Sequence, residues 1–303
     1  MVDYIQANTC GRLHDAREPS LSPLNRSFLY GDAIYEVWRT YDGVLFAFEE
    51  HWERLQRSAA ALHFELPLSR EETLAEIGRT ATAFRTHTGH VGPLYVRLQV
   101  ARGGGPIGLD PALAGTAEWV CYVQALHPAQ PKPERAGFHL RIARNLHRNP
   151  PEALNPAWKT GNYLNNILCL REARAAGADE VLMLNQAGQI TEAAVCNVFF
   201  VRGRQLVTPP TEAGILHGVT RRLICSVIAP SAEVEVVERM VEPAELEGFD
   251  ECFLSSTTRD IAPVERIDEH AYSTGPKTVT ARLKHAFAEY ASAYARMHAE
   301  LRI

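Results

Sequence analysis

The stretch Ala157-Trp158-Lys159-Thr160-Gly161-Asn162-Tyr163 puts a lysine just ahead of a helix-periodic segment, and its companions downstream decide how the chain is read. They are Thr191-Glu192-Ala193-Ala194-Val195-Cys196-Asn197, then Gly214-Ile215-Leu216-His217-Gly218-Val219-Thr220-Arg221, then Ser255-Ser256-Thr257-Thr258. Taken alone, Lys159 is one of 31 Lys and Arg side chains, and such groups are ordinarily solvated. A lysine amine can also condense with an aldehyde, provided its surroundings lower its proton affinity.

Each companion has an ordinary reading and a chemical one. Gly218-Val219-Thr220 runs from a loop into a helix, where glycine allows close backbone approach and the first amides point at an anion. Four consecutive hydroxyl residues, 255–258, follow a strand at the end where α/β proteins often collect ligands; a polar turn is the plain alternative. Glu192 follows a turn signal at 185–189, and a carboxylate there could face a pyridine nitrogen and keep it protonated. Tyr163, four residues after Lys159, shares a helical face with it if the helix starts near the lysine.

Outward from these segments, the composition is that of a globular enzyme. The chain has 303 residues, 46% hydrophobic and 22% charged, with a formal net charge of −5. Interspersed charge of that size argues against a nucleic-acid or anionic-membrane surface. No apolar run approaches the ~20 residues that span a bilayer. The six cysteines are scattered, without Cys-x-x-Cys pairs or metal-ligand spacing, so no metal site is expected and the thiols read as reduced. With no signal-like start, the expectation is a cytoplasmic protein.

Length predicts two domains. His127-Pro128-Ala129-Gln130-Pro131-Lys132-Pro133 is the best linker, since clustered prolines favour an extended connection. The division expected is a small α/β domain over 1–127, a linker over 128–134 and a larger domain over 135–303 carrying Lys159. Helical periodicity predicts helices over 47–62, 71–86, 163–176, 219–228 and 277–297. Strands are predicted over 33–39, 44–48, 94–101, 118–125, 138–143, 180–184, 197–201, 205–208, 233–239 and 251–255, the first two joined by Tyr41-Asp42-Gly43 as a hairpin. Mixed strands and helices give an α/β (α+β) fold.

The order and spacing of Lys159-x-x-x-Tyr163, Glu192-x-x-x-x-Asn197, Gly218-Val219-Thr220-Arg221 and Ser256-Thr257-Thr258 resemble the class IV, or fold-type IV, aminotransferases. That family includes branched-chain and D-amino-acid transaminases and aminodeoxychorismate lyases. The resemblance extends to Tyr30-Gly31-Asp32 with Tyr35-Glu36 and Arg39, and to Glu50-His51-Trp52-Glu53-Arg54-Leu55. It implies pyridoxal 5′-phosphate as cofactor, bound as a Schiff base on Lys159, which then moves the substrate proton. Glu192 would pair with the ring nitrogen, Tyr163 with the ring oxygen, and Leu216 would pack on the ring. Arg54, Val219, Thr220 and Thr257 would hold the phosphate, and Ser256 would join them among the cofactor-binding residues. The implied fold is a small N-terminal α/β domain with a larger, barrel-like C-terminal one, and the implied unit is a homodimer whose pockets borrow residues from the partner.

The resemblance implies transfer of an amino group between an amino acid or amine and a 2-oxo acid by a ping-pong cycle. Tyr95-Val96-Arg97 and the loop 103–111, with Leu109, resemble branched-chain enzymes, in which the arginine takes the distal carboxylate of glutamate. Tyr35-Glu36-Val37-Trp38-Arg39 departs from their Phe-Glu-Gly-x-Arg, and Tyr-Glu-Val with Ser256-Thr257-Thr258 is similar to D-amino-acid transaminases. Yet the Arg-x-His trap of those enzymes is missing, because Gln99 follows Arg97-Leu98. The expected substrate side is therefore Tyr30, Tyr35, Val37, Trp38, Arg39, Tyr95, Arg97, Leu109, Thr257 and Thr258. Branched-chain L-amino acids with glutamate come first, with D-amino-acid or (R)-amine transamination and lyase chemistry as alternatives. A strand arginine such as Arg97 could instead pair with Glu118.

Overall fold

A computed structural model describes residues 4–303. The chain forms two compact units. One contains the residues up to His127 together with Trp158–Asn162 and Ala291–Ile303; the other contains Pro128–Ala157 and Tyr163–Tyr290. Lys159 was expected in the C-terminal domain, and this is corrected: its segment packs with the first unit. The cause is backbone pairing, since Tyr35 N–H donates to the Lys159 carbonyl (3.0 Å) and Gly161 N–H to the Ala33 carbonyl (3.2 Å).

The first unit is built on a six-stranded sheet in the order Arg12–Asp15, Gln6–Thr9, Glu118–Ala125, Leu94–Ala101, Ala33–Tyr41, Val44–Leu45. Every neighbouring pair is antiparallel. Leu94, Val96, Leu98 and Val100 are buried, whereas Tyr95, Arg97 and Gln99 between them are half-exposed. This period of two divides the sheet into an apolar face and a mixed one. The helix Phe48–Ala61 buries Phe48, Trp52, Leu55 and Ala59. Large side chains of that kind contribute roughly 1.5–3 kcal/mol each on burial. The helix Arg70–Thr88 begins with a reciprocal cap between Ser69 and Glu72 and stops at Gly89, whose φ is 71°. Such a cap contributes about 1 kcal/mol.

The second unit carries a nine-stranded mixed sheet. Its main path is Glu235–Glu238, Gln205–Thr208, Asn197–Arg202, Glu251–Ser256, Asp260–Ile267, Phe138–Ile142, Glu180–Leu184 and Ile190–Ala193, with His270–Ala271 beside Asp260–Ile267. Central strands are buried on both faces, so Val198–Val201 and Cys252–Leu254 are continuous apolar runs without alternation. The helix Leu164–Ala175 follows Tyr163. A second helix runs Val219–Leu223, widens to a π-helical turn over Ile224–Ile228 and ends at Ser231. The helix Val279–Met297 starts on Glu251, whose carboxylate accepts from the amides of Val279 and Thr280, both at 2.8 Å. Among the described residues, no helix is long and apolar enough to cross a membrane.

Candidate active site

In the first unit the site begins with the clamp on Lys159. Its amide donates to Ser58 Oγ (3.2 Å), its carbonyl accepts from Tyr35, and Thr160 bridges to Ile34. With the backbone fixed on both sides, the amine is delivered over the Tyr35 ring, 4.5 Å from its centroid. The Arg97 guanidinium lies over the same ring at 3.8 Å.

Strand register assembles the rest of this face. Tyr35 is opposite Gln99, Val37 opposite Arg97 and Arg39 opposite Tyr95; Arg97 and Tyr95 are in turn opposite Tyr122 and Gln124. Directly paired residues point to the same side of a sheet. One row thus gathers Tyr35, Val37, Arg39, Tyr95 and Arg97, all expected on the substrate side, together with Gln99 and Tyr122. Arg97 donates to Gln99 Oε1 (2.8 Å) and not to Glu118, which accepts from Asn25 Nδ2 (2.6 Å). Burial raises the Tyr122 hydroxyl above its ordinary range, with Arg97 opposing.

Trp38 does not share this face. Its side chain is fully buried, stacks on Phe48 (5.6 Å between centroids) and lies against His51 (5.8 Å). Period-two alternation turns Trp38 and Glu36 towards the helix Phe48–Ala61, which corrects the expectation that Trp38 would stand beside Val37 in the pocket. On that side Glu36 receives Arg54 Nε on Oε1 (2.7 Å) and Arg54 Nη2 on Oε2 (2.8 Å), and His51 Nδ1 lies 2.7 Å from Oε2. Burial would raise the Glu36 carboxyl, but Arg54 and His51 outweigh it and hold it well below the usual carboxylate range. Burial also lowers the His51 imidazole, against the pull of Glu36. Arg54 was expected to hold phosphate, and here it is anchored first by a buried carboxylate.

Tyr30 and Leu109 belong to another feature of this unit. The Tyr30 hydroxyl accepts from Gly108 N–H (3.0 Å), while Arg26 donates to the carbonyls of Gly108 (2.8 Å) and Leu109 (3.1 Å). These bonds pin the glycine-rich loop from inside and leave Ile107 and Leu109 outside, 75% and 77% exposed, with Phe28 78% exposed.

In the second unit Glu192 lies on the buried strand Ile190–Ala193. Its Oε1 meets Arg148 Nη2 at 2.8 Å, and its Oε2 accepts from the Leu216 amide (3.1 Å) and Asn197 Nδ2 (3.2 Å). Asn197 Nδ2 also reaches the Leu216 carbonyl (3.1 Å), so one side chain ties the carboxylate to the loop ahead of the helix. At that helix start a Cβ on Gly218 would fall 2.1 Å from Asn197 Oδ1, which explains the glycine. Val219 and Thr220 are buried in the first turn. Arg221 anchors the same turn through the Pro209 carbonyl (2.8 Å) and Glu238 (2.5 Å). Asn197 and Ser255 are directly paired across the strands, and Ser256, Thr257 and Thr258 open the turn that follows. Tyr163 caps the helix Leu164–Ala175 and is half-buried.

Residues 33–267 match the family model of amino-transferase class IV. The chain belongs to the class IV aminotransferases. This aminotransferase is 34% identical over 278 residues to a putative branched-chain-amino-acid aminotransferase of Methanocaldococcus jannaschii, covering 91% of this chain and 93% of that one. It is also similar to a branched-chain aminotransferase of Thermoproteus uzoniensis, crystallised with norvaline. There the identity is 29%, the coverage 98% of both chains and the TM-score 0.86. A T.th. branched-chain amino acid aminotransferase, crystallised with pyridoxamine 5′-phosphate, superposes with a TM-score of 0.85 at 27% identity, covering 99% of this chain and 97% of that one.

Several residues of the aminotransferase escaped the sequence reading. Glu36 and His51 were quoted only as part of a resemblance; the available signal was His51-x-x-Arg54, a spacing that puts both side chains on one helix face and calls for an acidic partner there. Tyr122 could have been found by continuing the alternation of Tyr95 and Arg97 onto the next strand. Arg148 lies in Leu146–Pro151, which has no periodicity to place it. Burial pushes the Cys121 thiol up to about 12, and those of Cys196 and Cys225 up to about 11, which disfavours their thiolate forms.

Proposed function

We propose that the chain is a pyridoxal-5′-phosphate-dependent transaminase that exchanges an amino group between branched-chain L-amino acids and 2-oxo acids, with glutamate as the second donor. The observation that carries this reading is the Lys159 amine, clamped through its backbone and laid over the same Tyr35 ring as Arg97. That arrangement sets a nucleophilic amine and a carboxylate-binding cation on one aromatic platform.

The donor set fits the cofactor. A phosphate suits the amides of Val219 and Thr220 at a helix start, with Thr257 as a further donor; the family resemblance adds Arg54, whose charge and fork geometry suit the same dianion. Ser255 Oγ, buried without a hydrogen-bond partner beside Asn197, marks unmatched polarity in this region. Glu192 would take the ring nitrogen, Tyr163 the ring oxygen and Leu216 the ring face. The bound cofactor supplies an electron sink for the carbanion formed at the substrate α-carbon. Lys159 would take and return the substrate's α-proton, with its amine resting over the Tyr35 ring. Val37 and Tyr95 border the side chain, and Arg39, Thr257 and Thr258 complete the substrate side.

Arg97 would receive the distal carboxylate of glutamate and lie against an aliphatic side chain through its stem when leucine is bound. The pair Arg97–Gln99 disfavours the D-amino-acid reading, because Gln99 occupies the position where those enzymes place histidine. The exposed apolar cluster Phe28, Ile107 and Leu109 supports a homodimer in which Leu109 reaches the neighbouring subunit's pocket. Six cysteines without a disulfide accord with a cytoplasmic setting.

A half-reaction screen tests the proposal. The loaded protein, mixed with L-leucine, L-glutamate, D-alanine or (R)-1-phenylethylamine, should lose the absorbance of its lysine-bound cofactor with the two L-amino acids. Reaction with D-alanine alone would replace this reading by its D-specific rival. Pyruvate release from aminodeoxychorismate with no 2-oxo acid present would point to the lyase.

A further inference from the structure

A carboxylate that must face a ring nitrogen has two requirements. It has to stay ionised although burial favours the neutral acid, and its plane has to be fixed. Glu192 is 5% exposed. The Leu216 amide and the Asn197 side chain fix one oxygen, Oε2. A full positive charge meets the other, with Arg148 Nη2 2.8 Å from Oε1.

Arg148 is itself held. Its backbone amide donates to the Leu184 carbonyl (2.7 Å), and its Nη1 donates to Asn166 Oδ1 (3.1 Å). Asn166 Nδ2 in turn donates to the carbonyl of Ala194 (2.7 Å), two residues beyond Glu192 on the same chain segment. The contacts close a ring from residue 192 through Arg148 and Asn166 to residue 194. The guanidinium therefore moves with the strand end that bears the carboxylate. The side chains of Arg148 and Glu192 are 12% and 6% exposed, so bulk water screens the pair little.

We infer that Arg148, oriented by Asn166, is a positioning residue that keeps Glu192 charged and aimed at the cofactor's ring nitrogen. This rests on the cofactor reading above. A guanidinium beside a carboxylate favours its charged form, so Glu192 would be held as the anionic acceptor that a protonated ring nitrogen requires. The electron-sink strength of the cofactor then depends on a residue that never touches it.

The test uses the holoenzyme and three variants, Arg148→Met, Arg148→Lys and Glu192→Gln, with the Arg148→Met/Glu192→Gln double. Cofactor dissociation constant and the pH profile of the visible spectrum are read beside kcat and KM. Arg148→Met should change the pH profile in the same direction as Glu192→Gln and lower kcat roughly 10- to 100-fold, the scale that outer partners of ligating residues carry at metal sites. KM should change less. Arg148→Lys keeps a positive charge and should restore the pH profile. The double variant should be no worse than Glu192→Gln alone. Additive losses, or an Arg148→Met spectrum and kcat like those of the parent, would overturn the inference. If Arg148→Met does not fold, Arg148→Lys against the parent decides: a pH profile moved as in Glu192→Gln despite the retained charge counts against it. A parent protein that takes up no cofactor at all would instead defeat the cofactor reading, which separates the two failures.

Discussion

Glu36, Arg54 and His51 show what a site residue demands of its neighbours. An arginine buried in a low-dielectric setting, as Arg54 is, carries a heavy desolvation cost, and Glu36 offsets it by accepting two hydrogen bonds from the guanidinium. Glu36→Gln keeps the shape and removes the buried carboxylate that meets the Arg54 charge, so it should destabilise the protein by about 3–5 kcal/mol in chemical denaturation. Acid should have a related effect. The folded protein holds Glu36 below its ordinary 4.5 and His51 below its ordinary 6.5, so the unfolded chain takes up both protons first. Stability from this cluster is present above 6.5, declines as His51 is drawn to protonate, and declines again as pH falls below 4.5 towards the folded value of Glu36. Below 4.5, where the Glu36 carboxyl titrates, melting temperatures of the parent should fall more steeply than those of Glu36→Gln, which lacks that group. Parallel pH curves would contradict the assignment. For specificity, Arg97→Ala should raise KM for L-glutamate far more than KM for L-leucine, because it removes a carboxylate partner and only an apolar stem for the aliphatic side chain. Equal changes in steady-state assays would remove Arg97 from that role.

At the scale of elements, the legible parts were those whose packing imposes a period. Leu94–Ala101 and Glu118–Ala125 were read with their observed limits, because one face of each strand is buried and the other is not. Helix Arg70–Thr88 was read over 71–86 and extends that span slightly at both ends. The strand Asp260–Ile267 was not read from the sequence, and Pro263 inside it is a residue that central strands seldom hold. The proline is tolerated there because pairing with Phe138–Ile142 begins only at Val264. The hairpin Gln6–Thr9 with Arg12–Asp15 was missed because its residues are mostly polar, and its turn at Cys10-Gly11 carries no Asn-Gly or Asp-Gly signal. Glu192 was read as preceding a strand, whereas it lies within a four-residue one, too short for alternation to show. Gly218 was legible as a helix-entry glycine, and its steric reason is visible only in three dimensions. Gly218→Ala should force Asn197 away from Leu216 and Glu192, weakening cofactor affinity at least tenfold in a titration while the far-ultraviolet dichroism stays unchanged. Unaltered affinity would remove the close packing from the argument.

At the scale of the molecule, the spacing Lys159, Tyr163, Glu192, Gly218–Thr220 and Ser256–Thr258 was enough to reach the family, since each distance along the chain is set by one strand or helix of a fixed fold. What spacing could not convey was which side of a strand a residue faces when both sides are buried, and Trp38 was misplaced for that reason. It also could not place Arg148, whose role depends on contacts between segments distant in sequence. The exposed apolar residues 28, 107 and 109 belong to this scale as well. If the proposed homodimer forms through this face, Phe28→Asp should give a smaller particle than the parent in light scattering and lower activity with it, whereas a parent protein that is monomeric at working concentration would dispose of the proposed shared pocket.

The central claim is that Lys159, and no other amine, carries the cofactor. Borohydride reduction of the loaded protein fixes the cofactor to whichever lysine holds it, and peptide mapping by mass spectrometry then reads the position. The account predicts a single phosphopyridoxyl group on the peptide containing Lys159, and none on that peptide in Lys159→Ala. A label on another lysine, or a stoichiometric label that survives in Lys159→Ala, would contradict it.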